Sequence, residues 1–257
     1  MPPDHRPIAV FDSGVGGLTV MRAIQQHLPH EDILYFADTA RIPYGNKSQA
    51  TLRRYMYENI QFLLSFDPKI IVIACHTASS ALSAVPKTIC IHQQGISALQ
   101  AQFDPSSMKN IAILGTRATI SSSVYQNACK AHFPHANIFP IACPLFVPLI
   151  EEGYFSHPLT ELAIATTLQA IKDEPIDTLL LARTHYPLIR TQLSTALPQT
   201  ALIIDPATTC AAEVAAQIDL APPRTPRYRF YVSEDAEKFR SHARLFLQFP
   251  IEELYLT

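Results

Sequence analysis

The chain alternates short apolar runs with stretches whose apolar residues recur at helical spacing. Runs of strand length lie at Ile8–Phe11, Ile33–Phe36, Ile70–Ala74, Ile111–Leu114, Asn137–Ile141, Thr178–Leu181, Ala201–Ile204 and Tyr228–Val232. Two sets of apolar residues recur at the spacing of one helix face: Leu52, Tyr55, Met56, Ile60 and Leu63, and later Phe239, Ala243, Phe246 and Leu247. Continuous apolar strands separated by helices are typical of parallel sheets that are covered on both faces. The pattern therefore predicts an α/β fold.

Two of these strands resemble two others later in the chain. Ile8–Ser13 resembles Ile111–Thr116, and Ile70–Cys75 resembles Thr178–Arg183, with a small or polar residue near the end of each strand. Ligands of open α/β sheets bind just outside the carboxyl ends of the strands. Two similar halves facing each other would place both sets around one cleft. Buried parallel strands also resemble one another without any repeat, so this pattern alone leaves both interpretations open.

Composition narrows the class of protein. The 257 residues are 48% hydrophobic and 16% charged, which is typical of a globular chain with a substantial core. A net charge of −2 argues against binding to nucleic acid or to an acidic membrane surface. No apolar run approaches the roughly 18 residues of a membrane span. The first seven residues have no apolar core and do not resemble a signal peptide, so we expect a cytoplasmic protein.

The cysteines and histidines do not form metal or disulfide motifs. There are five cysteines, an odd number, and no C-x-x-C pair occurs among them. A disulfide framework or a structural zinc site is therefore not expected. The ten histidines show no H-E-x-x-H spacing, which argues against a zinc hydrolase. The sequence predicts no metal site.

Polar motifs follow the first two predicted strands. Asp12-Ser-Gly-Val-Gly-Gly17 clusters glycines that could bring backbone N–H groups close to an anion, but it matches neither G-x-G-x-x-G nor a P-loop. A tight turn explains the glycines equally well, whereas Asp12 and Ser13 favour contact with a carboxylate or an amine. Arg41 and Tyr44, in the segment after the second strand, could form a wall of the same site or a plain turn.

Cys75 gives the sharpest local signal. It ends a buried strand and precedes a helical segment, a position at which the helix dipole is expected to lower the pKa of a thiol. Buried cysteines are commonly inert parts of a core, but the polar neighbours His76 and Thr77 favour a catalytic role. Thr184 and His185 follow the matching strand of the second half and could bind a carboxylate or move a proton.

These motifs together resemble the glutamate racemases of the aspartate/glutamate racemase superfamily. The similarity runs from residue 8 to 188 through D-S-G-V-G-G-L-T-V, D-T-A-R-I-P-Y-G, A-C-x-T-A-S, C-P-L-F-V-P-L-I-E-E-G and T-H-Y-P-L, in the usual order. The resemblance implies two pseudo-symmetric α/β domains with parallel sheets that face a central cleft. The first would comprise residues 1–97 with 208–257, and the second residues 98–207.

The resemblance also implies an activity and the residues that carry it. Such enzymes interconvert L- and D-glutamate for peptidoglycan synthesis without cofactor or metal, and we expect a small dicarboxylate as substrate and a homodimer as assembly. Two cysteines, one from each half, move the α-proton on opposite faces. Cys75 matches the first, with Asp12 assisting it. Glu151 and His185 match residues around the second. The positions implied to bind substrate are Asp12, Ser13, Tyr44, Gly45, His76, Thr77, Thr119, Thr184 and His185.

The sequence departs from the pattern at two positions. Arg183 occupies the place of the second catalytic cysteine, and His76 that of an asparagine. A guanidinium group is a poor general base because it stays protonated far above neutral pH. We therefore expect weak racemisation in which Cys75 works with His185 or His76. Alternatively, the protein is a one-cysteine enzyme that decarboxylates or isomerises another dicarboxylate clamped by Arg183, or a non-catalytic binding protein.

A thiol at position 183 is expected to raise racemisation. General-base catalysis contributes roughly 10²–10⁴-fold to a rate, so the natural protein should invert glutamate slowly and Arg183→Cys should do so faster. His76→Asn is added in a second variant, because the imidazole would crowd the group that asparagine contacts. Chiral chromatography after incubation with each enantiomer measures the inversion. Fast inversion by the natural protein that Arg183→Cys abolishes would contradict this expectation.

Overall fold

The computed structural model describes residues 4–82, 85–106, 110–200, 202–247 and 249–257. Its strands are β1 (Ile8–Asp12), β2 (Ile33–Ala37), β3 (Ile70–Ile73), β4 (Thr88–Cys90), β5 (Asn110–Gly115), β6 (Asn137–Ala142), β7 (Thr178–Ala182), β8 (Leu202–Ile204), β9 (Tyr228–Val232) and β10 (Glu253–Leu256). Its α-helices are α1 (Leu18–His27), α2 (Gln49–Leu64), α3 (His76–Ser79), α4 (Ile91–Gln102), α5 (Arg117–Ser121), α6 (Val124–His132), α7 (Phe146–Glu151), α8 (Pro158–Leu168), α9 (Arg190–Ala196), α10 (Pro206–Gln217) and α11 (Ala236–Ala243).

The strands form two parallel sheets. The first has the order β10-β9-β2-β1-β3-β4, and the second has the order β6-β5-β7-β8. Each neighbouring pair in both sheets is parallel. Strand order reverses beside β1 in the first sheet and beside β5 in the second, which is where α/β sheets open crevices for ligands. The prediction of two α/β domains built on parallel sheets is confirmed.

Every predicted strand is present, with small shifts at the ends. Of the last strand of the second sheet, Leu202–Ile204 is observed, and Ala201 lies outside the described residues. Two strands were not predicted, β4 and β10. β4 is only three residues long, and β10 lies at the edge of its sheet with a partly exposed pattern. Apolar runs identify buried strands, so short or exposed edge strands escape this kind of prediction.

Burial explains why the central strands are so apolar. β1, β2 and β7 are buried at every position, since helices cover both faces of each sheet. Helix starts are fixed locally: Ser48 Oγ accepts a hydrogen bond from Thr51 N at the start of α2, and Asp205 does the same for Ala207 N before α10. None of the described helices combines the length and the apolar character that a membrane span requires.

The chain passes from one sheet to the other twice. The helix α4 leads from β4 of the first sheet to β5 of the second, and α10 leads from β8 back towards β9. These two helices pack against each other, and α10 also packs against α1. The two connections therefore brace the sheets side by side. The domain bounds at residues 97 and 208 stay a prediction.

A buried ion pair anchors the second connection. Lys69 Nζ lies 2.8 Å from Glu31 Oε2, and both side chains are only 2% exposed. Lys69 Nζ also donates to the carbonyl of Asp219 at 3.0 Å, and Ala221 N donates to Glu31 Oε1 at 2.6 Å. The pair thus fastens the segment after α10 to the edge of the first domain. Removing one partner would leave the other charge buried without an opposite charge.

We expect Glu31→Ala to destabilise the protein by about 3–5 kcal/mol, because the Lys69 ammonium would stay buried without its carboxylate. The double variant Glu31→Leu, Lys69→Met should recover much of this loss, since neither charge remains. Urea denaturation measures both. The matched control is Glu253→Ala, which breaks an exposed pair with Arg227 and should change the midpoint little. A Glu31→Ala protein as stable as the natural one would refute the account.

Candidate active site

The carboxyl ends of four strands meet in one cleft. Asp12 ends β1, Cys75 follows β3, Thr116 follows β5 and Arg183 follows β7. Hydrogen bonds join the two halves there. Thr184 Oγ1 donates to Asp12 Oδ2 at 3.3 Å, and the hydroxyls of Thr116 and Thr77 lie 2.9 Å apart. The predicted convergence of Asp12, Cys75, Thr116 and Arg183 is therefore observed.

A cavity of about 310 Å³ opens at this junction. Such a volume suits a small-molecule site. Both sheets contribute to its lining, which consists of Ser13, Gly14, Ile42, Pro43, Tyr44, Gly45, Asn46, Thr116, Arg117, Cys143, Pro144, Val147, Pro148, Glu151, Arg183 and His185. A larger groove of about 800 Å³ runs beside β9, but it contains none of the strand-end residues and we assign it no chemistry.

Asp12 is held in place by donors from both halves of the chain. It is completely buried. Gly14 N donates to Oδ1 at 2.8 Å and Thr184 Oγ1 to Oδ2 at 3.3 Å, while Ser13 Oγ lies 3.5 Å from Oδ1. These contacts satisfy the carboxylate without a cation. They also fix Ser13 and Thr184, two of the residues that were predicted to bind substrate.

Cys75 is completely buried behind the cavity lining, and its Sγ lies 3.6 Å from Ser13 Oγ. Burial and the charge of Asp12 raise the pKa of Cys75 above its ordinary value, and the charge of Arg183 opposes them only in part. The prediction of a lowered thiol pKa is therefore wrong. Helix α3, which follows Cys75, has four residues, and so short a helix has too small a dipole to offset the desolvation of a thiolate.

Arg183 lies against the same cavity from the second half. Its side chain is 8% exposed, and neither Nε nor Nη1 has a hydrogen-bond partner among the residues that the structure describes. Burial lowers the pKa of Arg183, but the attraction of Cys75 and Asp12 outweighs it, so the net pKa lies above the ordinary value. The guanidinium therefore brings a fixed positive charge into the cleft.

His185 forms a pair with Glu151. His185 Nε2 lies 2.9 Å from Glu151 Oε1, while Nδ1 is buried without a partner among the described residues. Burial raises the pKa of Glu151, but His185 and the charge of Arg183 together bring it below its ordinary value. Burial lowers the pKa of His185. We therefore assign a neutral imidazole that donates from Nε2 to the carboxylate and keeps a lone pair at Nδ1.

A network of polar side chains fixes Tyr44 beside the cavity. The Tyr44 hydroxyl donates to Asp38, and Asn59 Nδ2 donates to the Tyr44 oxygen at 3.0 Å. Arg41 Nε donates to Asp38 Oδ2 at 2.6 Å and does not line the cavity. Arg41 thus supports the wall from behind. Gly45 lines the cavity directly, and a Cβ there would lie 3.2 Å from the side chain of Thr116.

Three threonines form a hydroxyl cluster between the halves. Thr77 Oγ1 lies 2.9 Å from Thr116 Oγ1 and 3.2 Å from Thr119 Oγ1, and the latter two are 3.0 Å apart. Thr116 also caps α5 by accepting a hydrogen bond from Thr119 N. Hydroxyls can donate or accept, so the cluster can adapt to a polar ligand group. The structure thus brings Thr77 and Thr119 together, as their shared predicted role requires.

His76 turns towards the second half of the chain. Its Nδ1 lies 2.6 Å from the hydroxyl of Tyr125, and the two rings are stacked. Burial, together with the charges of Arg183 and His92, lowers the pKa of His76 well below its ordinary value. His76 does not line the cavity. Between the two histidines proposed from sequence as a second acid/base, the geometry favours His185.

The remaining cysteines do not offer a second activated thiol. Burial raises the pKa of Cys143, which lines the cavity, to about 12. Cys210 lies inside α10 and is completely buried. In the described part of the chain, no three His, Cys, Asp or Glu side chains are grouped so as to hold a metal ion.

Comparison with known proteins agrees with this geometry. Residues 13–214 match the Asp/Glu/Hydantoin racemase family. A glutamate racemase of Chlorobaculum tepidum is 40% identical over 99% of this chain and 99% of its own length. The chain belongs to the Asp/Glu/Hydantoin racemase family. A glutamate racemase of Neisseria meningitidis is 38% identical over 98% of this chain and 97% of its own length.

Solved structures of racemases share the whole architecture. The glutamate racemase of Francisella tularensis, in complex with D-glutamate, aligns with a TM-score of 0.90 at 33% identity, over 98% of this chain and 97% of that one. The enzyme of Thermus thermophilus, in complex with beta-chloro-D-alanine, gives 0.87 at 34% identity with the same coverage. Full-length similarity therefore includes the cleft as well as the sheets.

Several residues of this racemase-family cleft were not identified from the sequence. Arg117, Asn46 and Cys143 line the cavity, and Tyr125 supports His76 from another helix. Arg117 directly follows a strand-end threonine, so the strand-end rule that found Thr116 could have found it. Nothing in the local sequence marks Tyr125, because its contact with His76 depends on how the two halves pack.

The absence of a side chain at Gly16 allows His185 to approach the first domain. A Cβ at Gly16 would lie 2.3 Å from both His185 Nδ1 and Thr184 Oγ1. We expect Gly16→Ala to displace both side chains and to destabilise the protein by about 1–3 kcal/mol. Gly14→Ala is the matched control, because no atom lies within 4 Å of its added Cβ. Urea denaturation compares them, and equal midpoints would show that the contact is unimportant.

Proposed function

We propose that this protein interconverts L- and D-glutamate by cofactor-independent proton transfer, with Cys75 as the acid/base group on one face. The observation that carries the proposal is a thiol at a strand end, within a cleft built from both halves of a racemase-family chain. The full-length likeness to proteins named glutamate racemase supports this substrate. The D-glutamate would serve peptidoglycan synthesis, and a cytoplasmic homodimer belongs to the same proposal.

Chemistry explains why a thiol is placed here. The α-proton of an amino acid is very weakly acidic, so its removal needs a base held against it in a site that excludes water. Cys75 is such a group when it is deprotonated, and Asp12 and Ser13 lie around its sulfur. The thiolate would take the α-proton, and the thiol would return a proton to the same face.

The opposite face requires a second acid/base group, and we assign it to His185. His185 lines the cavity, and Glu151, bonded to Nε2, would stabilise the imidazolium that forms. Arg183 cannot take this role at neutral pH, since its guanidinium stays protonated. Because His185 is neither a thiol nor at the position of one, we expect inversion to be slow.

A second candidate is a one-base reaction on another dicarboxylate. The unpaired Nε and Nη1 of Arg183 favour it, because a guanidinium with free donors forms strong charge-assisted hydrogen bonds to a carboxylate. Decarboxylation or isomerisation would require only Cys75 as a proton carrier. A non-catalytic binding protein would keep the same cavity but would exchange no α-proton.

Incubation with L- and D-glutamate in deuterated water separates these possibilities. We expect α-deuterium incorporation by proton NMR and slow inversion by chiral chromatography, with both lost in Cys75→Ala. Cys129→Ala is the control, since Cys129 is a buried thiol outside the cavity. Undiminished inversion by Cys75→Ala would overturn the proposal, and so would binding of glutamate without any exchange.

The exchange rate is also expected to rise with pH between about 7 and 9. The pKa of Cys75 is raised, so the thiol is mainly protonated throughout this window. At pH values below the pKa, a rise of one pH unit increases the thiolate fraction about tenfold. Rates in deuterated buffers, followed at saturating glutamate, measure this dependence. A rate that is constant across the window would indicate a base that is already ionised at pH 7, which is incompatible with Cys75 in this environment.

A further inference from the structure

Arg183 lines the cavity at the junction of the two halves of the chain. The next residue, Thr184, is bonded to Asp12, and Ser13 lies 3.6 Å from the sulfur of Cys75. Arg183 and Ser13 line the same cavity. The charge of Asp12 attracts the guanidinium, and so does the charge of Cys75 when that thiol is deprotonated. Arg183 therefore shares a cavity with Ser13, the residue whose hydroxyl contacts the thiol.

The nearby carboxylates attract this charge, but their hydrogen bonds are made to other groups. Asp12 is occupied by the N–H of Gly14 and the hydroxyl of Thr184, and Glu151 by His185. Within the described residues, no hydrogen bond reaches Nε or Nη1 of Arg183, although the side chain is more than nine-tenths buried. Buried N–H donors without an acceptor cost free energy, which the oxygens of an anionic ligand would recover.

We propose that Arg183 binds the α-carboxylate of the substrate and stabilises the dianion that forms when Cys75 removes the α-proton. This inference rests on the proposed function, because it takes Cys75 as the base and an amino acid as the ligand. At position 183 a group that could carry a proton is thus replaced by a positive charge. Arg183 cannot move a proton, but its charge makes the α-proton of the substrate more acidic.

The covalent structure of glutamate indicates that Arg183 binds the α-carboxylate and not the distal carboxylate. The α-carbon must lie at Cys75 for proton transfer, and the α-carboxylate is bonded directly to that carbon, whereas two methylene groups separate the distal carboxylate from it. When the sulfur lone pair takes the proton, the C–H electron pair moves into the bond to the carboxylate carbon. The second negative charge then resides on the carboxylate oxygens, where the positive charge of Arg183 would stabilise it.

This arrangement makes proton exchange more efficient than inversion. Arg183 favours both the thiolate of Cys75 and the dianion, so the forward and return transfers on the Cys75 face are both assisted. The opposite face receives no such thiol. In deuterated water the enantiomer whose α-proton faces Cys75 should therefore exchange many times for each inversion.

Two glutamate fragments test the subsite without relying on turnover. 2-Aminobutyrate keeps the α-carboxylate, and 4-aminobutyrate keeps the amine and the distal carboxylate only. We expect Arg183→Met to weaken 2-aminobutyrate binding roughly 10- to 100-fold and to leave 4-aminobutyrate binding unchanged, as measured by calorimetry. Arg53→Met, at an exposed position on α2, is the matched control and should change neither. Weakening of 4-aminobutyrate alone, or of neither fragment, would overturn the assignment.

Stability provides a readout that a merely structural arginine would not give. Arg183→Met removes N–H donors that have no acceptor in the described part of the protein, so its melting temperature without ligand should stay close to that of the natural protein. Saturating glutamate should then raise the melting temperature less than in the natural protein. Arg183→Lys keeps a charge but loses the planar guanidinium, so the rise of its melting temperature with glutamate should lie between those of the natural protein and Arg183→Met. A loss of melting temperature in Arg183→Met without ligand, with unchanged glutamate binding, would show a structural role instead.

Kinetics separates this inference from the function on which it rests. Arg183→Met should slow α-deuterium exchange at saturating glutamate roughly 10²–10³-fold and shift its pH profile upward, because Cys75 loses a neighbouring cation. Normal exchange by Arg183→Met would overturn the inference and leave the racemase function standing. An inactive natural protein that still binds 2-aminobutyrate through Arg183 would overturn the function and preserve the subsite. No binding of glutamate at all would overturn both.

Discussion

The carboxyl ends of two parallel sheets face each other, and this constraint determines everything else about the site. A parallel strand delivers the residue after it to one edge of its sheet, so β1, β3, β5 and β7 bring Asp12, Cys75, Thr116 and Arg183 to one junction. Hydrogen bonds across the junction, from Thr184 to Asp12 and between Thr77 and Thr116, hold the halves in register. The cavity is therefore enclosed by residues that are far apart in the chain, and water is largely excluded from the groups that react.

Exclusion of water makes charge the dominant factor in the cleft. Burial raises the pKa of Cys75 and lowers that of His185, so both groups favour their neutral forms. Arg183 is the exception, because a guanidinium stays charged even when it is buried. Replacing a thiol by a guanidinium thus exchanges a group that carries a proton for one that stabilises negative charge. The protein retains the architecture of a two-thiol racemase, but its electrostatics favour chemistry on the face of Cys75.

Much of this could be predicted from the sequence, and the failures have physical causes. The central strands are recognisable because helices bury both of their faces and leave only apolar residues, whereas β4 and β10 are too short or too exposed to show that signal. Strand-end position identified Asp12 and Cys75, since topology alone sends them to the cleft. The direction of the Cys75 pKa shift was mispredicted, because a helix start is visible in the sequence and desolvation by the opposite half is not. The contact between His76 and Tyr125 was missed for the same reason.

A crystal structure of the protein with bound glutamate tests the central claim most directly. We predict that an α-carboxylate oxygen lies about 3 Å from Nε or Nη1 of Arg183, with the α-carbon facing the sulfur of Cys75. The distal carboxylate should then lie away from the guanidinium, towards the other side of the cavity. A structure in which Arg183 pairs with Glu151 while the α-carboxylate binds elsewhere would contradict this role of Arg183. The charge of Arg183 would then form an ion pair within the protein and would not bind the substrate.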